Sequence, residues 1–236
     1  MEAKVENAQQ RALLLLIGSI VITGVVYLVP FLRWAAWPFR QLATLAHELG
    51  HGLAAVVVGG RFEALLLYAD GSGVATWSAL VGRLGHATIA AGGLVGPALA
   101  AAVLLLAGRT PRAARVALVV VGSGLVVADV LVVRTLFGAV FVAVVALGLV
   151  AMGVLGSDLL AQAGLVFVAV QLALSVFSRA DYLFTPVART AQGSMPSDVA
   201  QIQEALVLPY WFWGATCGLL SLTVVGLALV VFLRDT

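Results

Sequence analysis

His47-Glu48-Leu49-Gly50-His51 decides how this chain is read. It lies in a run, from about Gln41 to Val58, with the character of a helix. Residues four apart share one helix face, so His47 and His51 can hold one metal ion from adjacent turns. Glu48 projects close to that face and, ionised, only accepts hydrogen bonds. It is therefore suited to take a proton from water beside the ion. Zinc fits two imidazoles and one more protein ligand, with a fourth position left for water. Two of the three histidines of the chain are in this stretch. Ionisable groups at membrane depth are costly and tend to be functional.

Composition supplies the surroundings. Of 236 residues, 62% are apolar and 10% charged, and the mean hydropathy is +1.11. This is a multi-pass membrane protein, with no long polar stretch left for a second domain. A net charge of +2 without a basic cluster argues against nucleic acid as a partner. Cys217 is the only cysteine, so neither an internal disulfide nor a cysteine cage for zinc is available.

Outward from the motif, apolar runs predict an all-α fold of about seven spans: roughly 13–32, 41–58, 86–107, two within 116–155, 159–177, and one ending near Leu233. The run at 13–32 reads as a retained span rather than a cleaved leader. Pro30, Arg33, Trp34 and Trp37 mark an interface after it. Gly50 and Gly52, with Gly92-Gly93-Leu94-Val95-Gly96-Pro97 in the next span, would allow helices to approach closely. Asp70-Gly71-Ser72-Gly73 sits between two short runs and predicts a β-hairpin at the membrane interface. An edge strand beside a metal site can hold an extended peptide by its backbone. Asp129 and Arg134 are read as a structural pair, with the chain turning near Arg134–Gly138. A short amphipathic helix is expected over 199–206, with Ser197 as its N-cap and Asp198 in its first turn. His86 is read mainly as an interfacial residue at a helix start, and secondarily as a metal ligand.

The chain resembles the site-2 protease family of intramembrane zinc metallopeptidases, in particular its small M-fifty-B-like branch. The resemblance rests on the histidine motif, Gly59-Gly60-Arg61 with Tyr68-Ala69-Asp70-Gly71-Ser72-Gly73, and the glycine-rich start of the following span. It also rests on Ser197-Asp198-Val199-Ala200, and on Leu208-Pro209 before an aromatic-rich last span. It implies one zinc ion held by His47 and His51, with Glu48 as general base. It implies hydrolysis of a peptide bond in a membrane protein or membrane-associated peptide, within or beside the lipid bilayer of a bacterial plasma membrane. The whole chain, 1–236, would be one membrane-embedded metallopeptidase-like domain. The family's third ligand is an aspartate, often in a Leu-Asp-Gly setting. This sequence departs there, because its Asp-Gly belongs to the hairpin. Asp181 and Asp198 are the candidates, and the sequence does not separate them. Alternate counting of spans puts both on the side where the motif helix ends. His51 lies nine residues before Gly60, about 13 Å on a helix axis. To complete the site, either Asp181 must lie below the surface or the late segment must dip inward.

Two other readings stand beside proteolysis. A membrane protein that keeps the metal site can act by binding or regulating other spans. A small transporter would carry paired inverted segments, and no internal repeat is present.

Overall fold

The computed structural model describes residues 2–178 and 182–234. Asp181 therefore lies outside the described residues. The chain runs through α1 (Glu2–Leu28), a 3-10 segment (Pro30–Ala36), α2 (Trp37–Val57) and a hairpin of β1 (Arg61–Leu67) and β2 (Gly73–Ser78). Four helices follow: α3 (Arg83–Ala107), α4 (Pro111–Val132), α5 (Leu136–Leu155) and α6 (Asp158–Ser178). After a turn at Tyr182–Phe184 come a second hairpin, β3 (Val187–Thr190) and β4 (Gly193–Pro196), then short α7 (Asp198–Leu206) and α8 (Tyr210–Arg234).

Among the described residues, five helices are long and apolar enough to cross a membrane: α3, α4, α5, α6 and α8. The apolar part of α1, Leu13–Leu28, is shorter. The motif helix α2 is not among the five, and its charged and polar residues (Arg40, Gln41, Thr44, His47, Glu48 and His51) account for that. The seven spans expected from sequence are thus five by length and composition. Outward-facing positions are themselves apolar: Val120, Val130, Val144 and Leu147 are all exposed. Charged residues normally occupy such a surface in water.

Pro38 lies in the first turn of α2, where its missing N–H is no loss. At the other end Gly59, with φ +87, reverses the chain, and Gly60 N–H bonds the Ala55 carbonyl at 2.8 Å. That cap delivers the chain directly into β1. α3 packs backbone to backbone on α2. A Cβ on Gly50 would lie 2.2 Å from the Gly92 carbonyl oxygen, so only glycine permits this approach. The small residues of both helices do here what the sequence suggested.

Elsewhere helix ends are closed by side chains. Thr110 and Thr135 cap α4 and α5 by accepting from Ala113 N–H and Gly138 N–H. Arg115 holds the carbonyls of Gly153 and Gly156 and pairs with Asp158, joining α4, α5 and α6. Arg134 departs from its expected role. No ion pair with Asp129 forms among the described residues; the guanidinium instead donates to the carbonyls of Leu131 and Val133 at the end of α4. Orphan carbonyls at a helix C-terminus attract a cation, and these are nearer than the carboxylate.

α7 settles where the late segment goes. Val199 and Ile202 are buried, in one cluster with Ala87, Ala90, Leu94 and Val95 of α3 and Cys217 of α8. The segment dips inward, with Asp198 at the buried start of its helix.

Candidate metal centre

α2 presents the motif on its buried face. His47 and His51 are each 8% exposed and Glu48 6%. The His51 ring is oriented by the Ile89 carbonyl oxygen, 2.8 Å from its Nδ1. The Nδ1 then carries the proton and Nε2 offers a lone pair. Room for that ring depends on Gly93, where a Cβ would lie 2.2 Å from Nε2.

The third donor comes from α7. Ser197 caps this helix by accepting from Ala200 N–H at 3.3 Å, as the sequence predicted. Asp198 is therefore free of capping duty, and it turns inward, 4% exposed. Its Oδ2 lies 3.1 Å from His47 Nε2 and its Oδ1 lies 3.3 Å from His51 Nε2. The two Nε2 atoms are 3.2 Å apart. Burial alone would raise the pKa of Asp198, but the adjacent His51 and His47 outweigh it and hold the carboxyl well below the usual carboxylate range.

The donor set passes a geometric test for a metal. Ligand bonds of 2.0–2.1 Å in a tetrahedron place donors about 3.3 Å apart. The 3.2 Å between the two Nε2 atoms is close to that edge, and each of these nitrogens has one Asp198 carboxylate oxygen at a similar distance. Asp198 Oδ2 is moreover buried without a hydrogen-bond partner, despite its closeness to His47. A buried carboxylate oxygen left in this state is costly unless something else binds it. His47, His51 and Asp198 are thus placed to hold one ion together. His86 is not with them: it is exposed on the first turn of α3, its ring 5.4 Å from Trp77.

The predicted hairpin covers Glu48. Gly73, the first residue of β2, lies so close that a Cβ there would come 2.8 Å from Glu48 Cγ and from Thr44 Cγ2. Three side chains on one face of α2 fix the turn: Trp37 donates to the Ala69 carbonyl, Gln41 to Tyr68 and Thr44 to Gly71, at 2.8–2.9 Å. Within the turn Ser72 donates twice to Asp70 Oδ1, and these bonds hold the Asp70 pKa below its ordinary value. The outer edge of β1 is occupied, since Leu65 accepts from Arg134 N–H and Leu67 bonds the Thr135 hydroxyl. Among the described residues no backbone hydrogen bond reaches the outer edge of β2.

Sequence reasoning missed the second hairpin. No strand is expected between the span at 159–177 and the helix at 199–206, yet β3 and β4 pair antiparallel through Gly193, with φ +119. Its tip meets the first hairpin: Ala191 N–H donates to Ser72 Oγ and Gln192 to Tyr68 Oη. The Thr190–Gly193 turn signal was available, but the strands beside it are only four residues each.

Comparison with known proteins adds family membership. No curated protein and no solved structure matches the chain. The family model described as Peptidase M50B-like matches residues 14–228, including every residue of the buried cluster and both hairpins. The chain belongs to the Peptidase M50B-like family, and with its five long apolar helices it is a membrane protein of peptidase lineage.

Proposed function

We propose that this chain is a zinc-dependent intramembrane endopeptidase that hydrolyses a peptide bond of a membrane protein or membrane-associated peptide. The observation that carries the reading is the convergence of two imidazole nitrogens and the two oxygens of one carboxylate, in contact at 3.1–3.3 Å, beside a buried glutamate. His47, His51 and Asp198 hold the ion, and residues 1–236 act as one domain around it. Zinc, when bound, makes water nucleophilic near neutral pH and polarises the carbonyl to be attacked.

The chain's own groups do the rest. Glu48 accepts a proton from the attacking water. The water oxygen bonds to the scissile carbon, the C–N bond breaks, and Glu48 returns the proton to the leaving nitrogen. The Ile89 carbonyl keeps His51 in the tautomer that binds an ion. A transmembrane helix satisfies its own carbonyls, so the substrate must unwind locally before attack. The open outer edge of β2 supports docking of that unwound segment as an added strand passing over Glu48.

The test is zinc content and cleavage in detergent-purified protein, using a panel of single-span peptides in proteoliposomes. Wild type should carry near one zinc, Asp198→Asn should lose it, and Glu48→Ala should keep it while cleavage falls about 10³-fold. Cleavage that survives Glu48→Ala overturns the mechanism. Zinc retained by wild type without cleavage of any peptide would favour a binding or regulatory protein instead.

A further inference from the structure

The two histidines are held unequally. His51 has the Ile89 carbonyl behind its ring. His47 turns Nε2 to Asp198, but among the described residues no protein group hydrogen-bonds its Nδ1. A histidine that binds a metal almost always donates its other N–H to a carboxylate, a carbonyl or water. Beside His47 is a cavity of about 30 Å³, lined in part by His47, Ser175, Tyr182 and Ser221. One water needs roughly 10–15 Å³ of such space and two to four polar partners. Ser221, on α8, is 1% exposed, lines this cavity, and has no hydrogen bond among the described residues. A hydroxyl buried at membrane depth without a partner is unfavourable.

We infer that this cavity is a binding site for one structural water that accepts from His47 Nδ1–H and donates to Ser221, which makes Ser221 a positioning residue for the metal centre. The water does for His47 what the Ile89 carbonyl does for His51. The unpartnered histidine and the unpartnered serine satisfy each other across one molecule. α8 is thereby tied to the site, although it supplies no ligand. The inference rests on the zinc reading above.

The test measures zinc affinity by chelator competition, and the visible spectrum of the cobalt-loaded protein, for three substitutions at Ser221. Ser221→Ala and Ser221→Cys should each weaken zinc about tenfold and shift the cobalt bands. Ser221→Thr, which keeps the hydroxyl, should restore both. Cysteine keeps the serine shape, so its agreement with alanine separates hydrogen bonding from packing. Unchanged affinity in all three variants overturns the inference. Should the variants fail to fold, wild-type zinc-loaded protein carries the test by NMR. A cross-peak between the His47 Nδ1 proton and water supports the site, and a contact to protein protons alone overturns it. Absence of zinc from wild type would instead overturn the parent reading, and that result is distinct from zinc bound with equal affinity by every variant.

Discussion

The two hairpins are similar in form and opposite in attachment. The first, β1–β2, is fastened from below by Trp37, Gln41 and Thr44 of α2 and from the side by Val133–Thr135. The second, β3–β4, reaches it through two exposed hydrogen bonds, from Ala191 N–H to Ser72 and from Gln192 to Tyr68. Its strand β4 is exposed along its whole length. A hairpin in water is marginal alone, so each depends on what it rests against. The first is part of the site's frame. The second touches that frame at its tip. The contrast teaches that distance from Glu48 matters less than what fixes each backbone.

Substitutions can break this comparison. The largest effect is expected at Gly73→Val, because the new side chain must displace Glu48 or Thr44. Cleavage should drop about 10³-fold, as for loss of the base itself, with zinc content unchanged in the same preparation. Retained cleavage would show that the first hairpin is not fixed over Glu48. An intermediate effect is expected at Gln41→Ala. It leaves the Tyr68 carbonyl without its buried donor, at a cost of about 1–3 kcal/mol in stability. Thermal unfolding in detergent would measure it. The smallest effect belongs to Ser72→Ala, which removes two exposed hydrogen bonds, one to Asp70 within the turn and one from Ala191 N–H between the hairpins. Stability should change by less than about 0.5 kcal/mol, while hydrogen exchange at the Ala191 amide accelerates. A loss there as large as at Gln41 would make the second hairpin part of the frame after all.

Much of this was legible because it is local. The spacing of His47 and His51 follows from helix period alone, and Glu48 follows from its place between them. Asp70 and Gly71 mark the first turn through their own backbone chemistry, and Ser197 marks the start of α7. Short patterns betray short structures. The second hairpin escaped notice because each strand is four residues, too few for alternation to register. The pairing imagined for Asp129 and Arg134 failed because sequence distance does not reveal competing acceptors. The carbonyls ending α4 lay closer.

By itself, then, the sequence determined a helical membrane protein with an imidazole pair, a glutamate and a hairpin beside them, since periodicity and turn chemistry are properties of a few adjacent residues. Tertiary structure alone decided that Asp198 meets His47 and His51 across some hundred and fifty positions of chain. It also decided that, among the described residues, the outer edge of β2 rather than β1 carries no backbone hydrogen bond, and that Ser221 lines the same cavity as His47. These facts depend on how α3, α7 and α8 pack together. Packing is a relation between distant segments, and no single stretch carries it.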